Sequence, residues 1–152
     1  MGDALQALAF ELVASAPQLD EVSRLQMTAL LADAAGWRNM VAGQALDIKE
    51  TDKQDLDIET LNGLHAAKTG ALFRTSVQFG CIAAGHADDD SFVSLSRFGD
   101  IIGLAYQITD DILDVVGTTD SLGKPAGSDT RQKKTTYPAL IGLDESRQVS
   151  HH

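Results

Sequence analysis

The sequence predicts an all-α fold, and three observations support this prediction. Ala and Leu are abundant and the 152 residues include only three prolines, a composition that favours helices. Apolar residues recur at spacings of three and four along most of the chain. Short polar or glycine-containing breaks separate these segments. A chain of this length is expected to form one hydrophobic core and therefore one domain.

The first two predicted helices lie on either side of a proline. The segment Asp3–Ala16 is rich in Ala and Leu and ends at Pro17. No polar run precedes it, so we expect the chain to begin at the edge of a larger fold. Either Asp20 or Ser23 can cap the second helix, which reaches about Gly36.

A third helix contains Met40–Leu46, and a polar loop over residues 49–57 follows it. Gln44 and Asp47 are spaced i, i+3 and therefore share a side of this helix. Asp57, at the end of the loop, is a predicted N-cap of the next helix.

The fourth predicted helix runs from Ile58 to about Ala84 and places a lysine among apolar residues. By helical angle, Lys68 falls in the middle of a stripe; the stripe contains Leu61, Leu64, Leu72, Thr75 and Phe79. Its ammonium either extends past its neighbours to solvent or faces an internal anion. Thr69 and Gly70 would let a ligand approach, with the Arg74 guanidinium nearby.

The fifth predicted helix begins near Ser91, after the solvated acids 88–90, ends near Gly117 and carries an acidic stripe. Asp110 and Asp114 are one turn apart, and Asp111 can reach toward the same point. The flanking residues are apolar, which predicts burial, and buried carboxylates are paired or bind metal. Carboxylates without His or Cys prefer a hard cation such as Mg²⁺, often shared with substrate phosphates. The alternative is a solvent-exposed acidic turn.

The loop over residues 118–136 follows the acidic helix and is rich in Gly, Ser, Thr and Asp. Its position allows lysines such as Lys124 and Lys134 to fold back over a metal-bound phosphate as a lid. An ordinary surface loop is the alternative. A last helix is predicted to start at Tyr137 and to end within a few residues.

The charge and cysteine content restrict the function classes. The net charge of −10 and the pI near 4.6 argue against general binding to nucleic acids or anionic membranes, because both need a basic face. Cys81 is the single cysteine, so an internal disulfide is excluded and a cytoplasmic location is expected. No apolar run is long enough to span a membrane. We interpret Val149–His152 as a possible tag remnant or tail.

Five motifs in this order resemble the trans-isoprenyl diphosphate synthases, especially the short-chain farnesyl and geranyl(geranyl) diphosphate synthases. They are G-Q-A-L-D at 43–47, H-A-A-K-T-G-A-L at 65–72, G-L-A-Y-Q-I-T-D-D-I-L-D at 103–114, L-G-K at 122–124 and K-T-T-Y-P-A-L at 134–140. The resemblance implies an antiparallel helical bundle of the isoprenoid synthase type, incomplete here, with residues 1–148 as the C-terminal part of one domain. It also implies a homodimer, for which the apolar surfaces of residues 4–16 and 22–46 are candidates.

The resemblance further implies a Mg²⁺-dependent prenyltransferase that condenses isopentenyl diphosphate with an allylic diphosphate. The implied residues divide into Mg²⁺ ligands, side chains that bind diphosphate and side chains that line the pocket. They are Asp110, Asp111 and Asp114 for Mg²⁺, with Gln107 nearby; Lys68, Lys124 and Lys134 for diphosphate; and Thr69 and Gln44 for the pocket, with Asp47 in support. Among these, Lys68, Asp110 and Lys134 are the expected catalytic residues.

The chain departs from the family pattern in one respect. The family's first aspartate-rich motif, a D-D-x-x-D followed by arginines that precedes the one at 110–114, is absent, and the acids 88–90 cannot replace it because no further acid follows them at the required spacing. The chain alone is therefore expected to lack half of its metal clamp and to be inactive as a prenyltransferase. Two alternatives remain, a non-catalytic diphosphate-binding or dimerising partner of a synthase and a class I terpene cyclase, which fits the lysine motifs less well.

Overall fold

The computed structural model describes residues 2–50, 56–117 and 134–151, and within these ranges the chain is helical without any strand. This agrees with the predicted all-α class. The α-helices, in chain order, are α1 (Gly2–Ser15), α2 (Glu21–Ala35), α3 (Met40–Glu50), α4 (Ile58–His65), α5 (Ala71–Ala83), α6 (Asp90–Val116), α7 (Tyr137–Ile141) and α8 (Leu143–His151).

Three aspartates fix the helix starts that the sequence predicts. Asp20 accepts a hydrogen bond from the backbone N–H of Ser23 at 2.7 Å and so caps α2. Asp57 does the same for α4, and Asp89 accepts from the first turn of α6. Each carboxylate satisfies an N–H group that has no partner within its helix.

The predicted helix over 58–84 forms, but it contains a π-helical turn at Ala66–Gly70 between α4 and α5. The wider turn interrupts the regular α spacing, which the sequence pattern did not reveal. Lys68 lies within the π turn and is half-buried. Such turns are frequent at functional sites, so the π turn marks the surroundings of Lys68 as a candidate functional site.

Two hydrophobic clusters hold the helices together. One joins α1, α2 and α5 through Val13, Met27, Leu31 and Ile82. The other joins α4, α6 and α7 through Leu61, Ile108, Ile112 and Tyr137. Leu61 of the second cluster also lines the polar cavity of the candidate site, so core packing and site geometry are coupled.

Glycines set the closest helix contacts. A Cβ added at Gly103 of α6 would lie 2.7 Å from the Cα of Gly70, and one at Gly99 would lie 2.6 Å from the Cα of Arg74. A Cβ at Gly43 of α3 would lie 2.5 Å from the backbone nitrogen of Lys68. Both α3 and α6 therefore approach the helix over 58–83 more closely than any side chain would allow.

The burial pattern of α6 differs from the sequence expectation. Asp111 and Asp114 are buried, as expected, with 3% and 1% of their surface exposed. The adjacent Ile108 and Ile112 are buried with them, whereas other apolar residues of α6, including Phe98, Ile102 and Val116, are exposed. In the middle of α6, Gly99 and Gly103 face Arg74 and Gly70, which leaves Phe98 and Ile102 on the outer side of the helix.

The C-terminal region contains one helix more than the sequence predicted. α7 ends at Gly142, which adopts a φ of +85° that favours glycine. α8 then continues to His151; whether Val149–His152 is a tag remnant remains a prediction. Across the described ranges, helices long and apolar enough to cross a membrane are absent.

Replacing Gly103 with Ala tests the importance of the close helix contact. We expect Gly103→Ala to lower the free energy of unfolding by about 1–3 kcal/mol, because the new methyl group would collide with the Gly70 backbone. Urea unfolding followed by circular dichroism measures this. Gly63→Ala is the control: a Cβ there meets nothing within 4 Å, so stability should rise by up to about 1 kcal/mol. Equal stability of the two variants would contradict the prediction.

Candidate functional site

A polar cavity of about 310 Å³ lies where α3, α4, the π turn, α6 and the segment before α7 meet. Most of its lining consists of charged or polar side chains, with three leucines at its base. The lining residues are Asp47, Glu50, Leu56, Leu61, Leu64, His65, Lys68, Gln107, Asp110, Asp111, Lys134, Thr135 and Thr136.

One carboxylate holds two lysines on one side of this cavity. The Nζ of Lys68 lies 2.6 Å from Oδ2 of Asp47, and the Nζ of Lys134 lies 3.3 Å from the same oxygen. The Asp47 side chain is only 14% exposed. Gly43, one turn earlier in α3, lets Asp47 reach Lys68, because its missing side chain allows α3 to contact the π turn.

The charge state of Asp47 follows from this pairing. Burial by itself would raise the pKa of the Asp47 carboxyl, but the hydrogen bond from Lys68 and the charges of Lys68 and Lys134 outweigh it. The net result is a pKa below the ordinary value. Asp47 is therefore an anion at neutral pH, and it fixes two cations at the cavity wall.

Asp111 is the buried acceptor in the wall that α6 contributes. Its Oδ2 accepts a hydrogen bond from the backbone N–H of Tyr137 at 3.0 Å, and its Oδ1 accepts from Gln107 at 3.3 Å. Gln107 in turn accepts from the Thr69 hydroxyl at 3.1 Å. A chain of hydrogen bonds thus connects the π turn, α6 and the start of α7.

His65 and Tyr137 complete this wall. Their rings stack with centroids 6.0 Å apart, and the Tyr137 hydroxyl donates to Oδ1 of Asn62. Burial and the charge of Asp111 raise the pKa of the Tyr137 hydroxyl, so it remains protonated and able to donate at neutral pH. His65 Nε2 lies 3.6 Å from Oδ2 of Asp111, which is too long for a hydrogen bond.

The predicted three-carboxylate metal site is not assembled within the described residues. Asp110 is half-buried and lines the cavity with Asp111, whereas Asp114 is not among the lining residues. No group of three or more His, Cys, Asp or Glu side chains in the described ranges is placed to hold a metal ion. Asp114 lies on the same side of α6 as Asp110 but one turn further along the helix, where it is fully buried and outside the cavity lining.

The other predicted site residues fall into three groups. Lys68, Lys134 and Gln107 line the cavity, and Thr69 contacts it through Gln107. Gln44 is exposed on α3 and does not line the cavity formed by the described residues. Lys124 lies outside the described residues.

Arg74 does not serve the cavity as the sequence suggested. Its Nη1 lies 3.1 Å from Oδ1 of Asp100 on α6. Both side chains are partly exposed, so this contact is a surface ion pair between α5 and α6.

Sequence reasoning missed His65, Asn62 and Tyr137 as members of the site. His65 precedes Lys68 by three residues and is the first residue of the motif H-A-A-K-T-G-A-L at 65–72. Its place in that motif was the sequence feature that could have identified it. Nothing in the sequence indicated that the backbone N–H of Tyr137 would reach Asp111, 26 positions earlier.

The lowered pKa of Asp47 predicts a pH dependence of stability. A carboxylate whose pKa is lowered by folding stabilises the protein at any pH above the pKa that the group has in the unfolded chain. This stabilisation is lost as the pH falls through the pKa of the group in the folded protein. Asp47→Asn should therefore reduce the free energy of unfolding at pH 7 by on the order of 1 kcal/mol. The difference from the wild type should shrink below about pH 3.8, the ordinary value.

Urea unfolding at several pH values measures this difference. Asp144→Asn is the matched control, because the Asp144 side chain is 93% exposed and its removal should change little at any pH. A constant difference for Asp47→Asn from pH 7 to pH 3 would rule out the ionic role.

Comparison with known proteins places this geometry in a family. The family model described as Polyprenyl synthetase matches residues 1–151. Farnesyl diphosphate synthase of Escherichia coli is 42% identical over 149 residues, which are 97% of this chain and 50% of that protein. The large subunit 1 of the heterodimeric geranylgeranyl pyrophosphate synthase of Arabidopsis thaliana is also 42% identical, over 98% of this chain and 41% of its own length.

A solved structure gives the same result. Geranyltransferase from Helicobacter pylori, in a complex with magnesium and isoprenyl diphosphate, superimposes with a TM-score of 0.88 at 33% identity. The match covers 99% of this chain and 48% of that one. This chain thus spans about half the length of the curated relatives and solved structures it matches, and it belongs to the polyprenyl synthetase family.

Proposed function

We propose that this chain provides a diphosphate-binding and Mg²⁺-binding wall of a prenyltransferase that condenses isopentenyl diphosphate with an allylic diphosphate. The observation that carries the proposal is the cavity itself, which Lys68 and Lys134 line together with the carboxylates of Asp110 and Asp111. Family membership and the printed names of the relatives, farnesyl and geranylgeranyl diphosphate synthases, support it.

The lysines are suited to bind the diphosphate group. In the ligand-free protein their ammonium groups share one anion, the Asp47 carboxylate. A diphosphate carries several oxygens and more negative charge, so it can take over these donors while Asp47 keeps them in place. As the bond from carbon to the diphosphate oxygen breaks, negative charge grows on the leaving group, and Lys68 and Lys134 stabilise it.

The carboxylates are suited to a shared Mg²⁺ ion and not to a cage made by protein alone. Mg²⁺ is commonly held by one or two carboxylates together with substrate phosphates and water. Asp110 and Asp111 supply such oxygens at the cavity wall, and we propose them as the ligands. Bound there, Mg²⁺ would neutralise diphosphate charge. Asp114 is fully buried, and we propose for it a supporting role within α6.

We also propose that two copies of this chain associate through α1 and α2. Both helices expose large apolar side chains: Leu5, Leu8, Leu12, Val22 and Leu25 are 61%, 45%, 61%, 75% and 72% exposed, respectively. Contiguous apolar surface of this kind is typical of protein interfaces, and closed twofold pairing is the commonest form of association.

The central test is whether Mg²⁺ and diphosphate bind together. Calorimetric titration of inorganic diphosphate into the chain should give at least about tenfold higher affinity with Mg²⁺ than without, because substrate oxygens complete the coordination shell. Lys68→Gln should weaken binding in both conditions. Lys49→Gln, at an exposed lysine of α3 outside the cavity lining, is the control and should change neither. Equal affinity with and without Mg²⁺ in a folded sample would refute the proposal.

Replacing the two cavity carboxylates separately distinguishes ligation from structure. Asp110→Asn should abolish most of the gain in diphosphate affinity from Mg²⁺ and leave the melting temperature nearly unchanged. Asp111→Asn should also lower the free energy of unfolding, by about 1–3 kcal/mol, because the buried carboxylate accepts hydrogen bonds from Tyr137 and Gln107. Calorimetry and thermal unfolding measure both. If Asp110→Asn lowered stability as much and kept the Mg²⁺ response, Asp110 would be structural.

A further inference from the structure

His65 is a buried polar side chain that lacks hydrogen bonds. Its side chain is 6% exposed, and neither Nδ1 nor Nε2 has a hydrogen-bond partner within the described part of the chain. Buried polar groups in native proteins nearly always have partners. A histidine kept in this position at the cavity wall therefore calls for a partner that the ligand-free arrangement does not yet supply.

The position of the ring restricts the possible partners. The stack on Tyr137 fixes the plane of the imidazole. Nε2 is 3.6 Å from Oδ2 of Asp111, and hydrogen bonds of this type are about 2.7–3.2 Å long. A movement of roughly half an ångström would therefore be sufficient to form the bond. Oδ2 already accepts from Tyr137 N–H, and a carboxylate oxygen can accept a second hydrogen bond.

The location of His65 in the chain connects this contact with ligand binding. His65 is the last residue of α4, and the π turn that follows carries Lys68 and Thr69. Lys68 is bound to Asp47 in the ligand-free protein. A diphosphate in the cavity would draw Lys68 toward it, and this would move the adjoining end of α4 that carries His65.

We propose that His65 is a positioning residue for Asp111: when diphosphate binds, the imidazole closes on the carboxylate and Nε2–H donates a hydrogen bond to Oδ2. The bond holds Asp111 in one orientation and connects the lysine-bearing π turn to α6. This inference rests on the proposed diphosphate binding and adds to it a residue that acts through Asp111 without touching the diphosphate.

Two variants and a control separate this role from simple packing. His65→Phe keeps an aromatic ring to stack on Tyr137 but has no N–H donor. His65→Gln loses the ring but places an amide N–H near the position of Nε2. His86→Phe is the control, because His86 is exposed and lies far from the cavity, where it contacts Asp89.

Calorimetric titration with inorganic diphosphate, with and without Mg²⁺, and thermal unfolding without ligand are the measurements. We expect His65→Phe to weaken diphosphate binding about tenfold in both conditions, since a hydrogen bond to a charged group is lost. Its ligand-free melting temperature should equal or exceed that of the wild type, because the unpartnered nitrogens are gone. His65→Gln should bind within about threefold of the wild type, and His86→Phe should bind like the wild type.

The outcomes distinguish this inference from the proposed function. If the wild type binds no diphosphate, the proposed function fails, and this inference fails with it. If the wild type binds and His65→Phe binds equally well, only the role of His65 is refuted. Two results would identify His65 as a packing residue and would also refute the positioning role. One is a loss of affinity in both His65→Phe and His65→Gln; the other is a loss of affinity in His65→Phe together with a fall in its ligand-free melting temperature.

Discussion

The close contact of three helices at glycine residues is the constraint on which the site depends. Gly43 of α3 and Gly103 of α6 both lie against the π turn and its end at Gly70, at distances that no Cβ would permit. One turn beyond each glycine stands a polar residue, Asp47 on α3 and Gln107 on α6. The glycines thus bring these side chains within hydrogen-bonding distance of Lys68 and Thr69. Helix packing and ligand chemistry are set by the same contacts.

The cavity concentrates two lysines locally in a strongly acidic chain. Although acidic residues outnumber basic ones by 22 to 12, two lysines converge on Asp47, and Asp111 accepts hydrogen bonds from two neutral groups, the Gln107 amide and the Tyr137 N–H. Cationic donors and carboxylates therefore line one small cavity. An anion such as diphosphate complements the lysines, and a hard cation complements the carboxylates.

Residue types and spacing were sufficient for much of the site. The all-α class, the caps at Asp20 and Asp57 and the possibility that Lys68 faces an internal anion followed from local rules, because capping and helical periodicity act over a few residues. The burial of Asp111 was predicted from its apolar flanks, and the adjacent Ile108 and Ile112 are buried, whereas Phe98 and Ile102 earlier in α6 are exposed. The π turn, α8 and the contact from Tyr137 N–H to Asp111 were not predicted.

The sequence by itself determined which residues could bind an anion and a metal ion, since lysines, carboxylates and glycines occur in motifs whose chemistry is local. Only the tertiary structure decided which of them meet. Asp114 shares a side of α6 with Asp110 but lies one turn further along the helix, so the packing of α6 placed Asp110 and Asp111 at the cavity and Asp114 in the interior. Likewise, His65 joined the site because α4 and α7 stack its ring on Tyr137, and contacts between positions so distant in sequence leave no periodic signal.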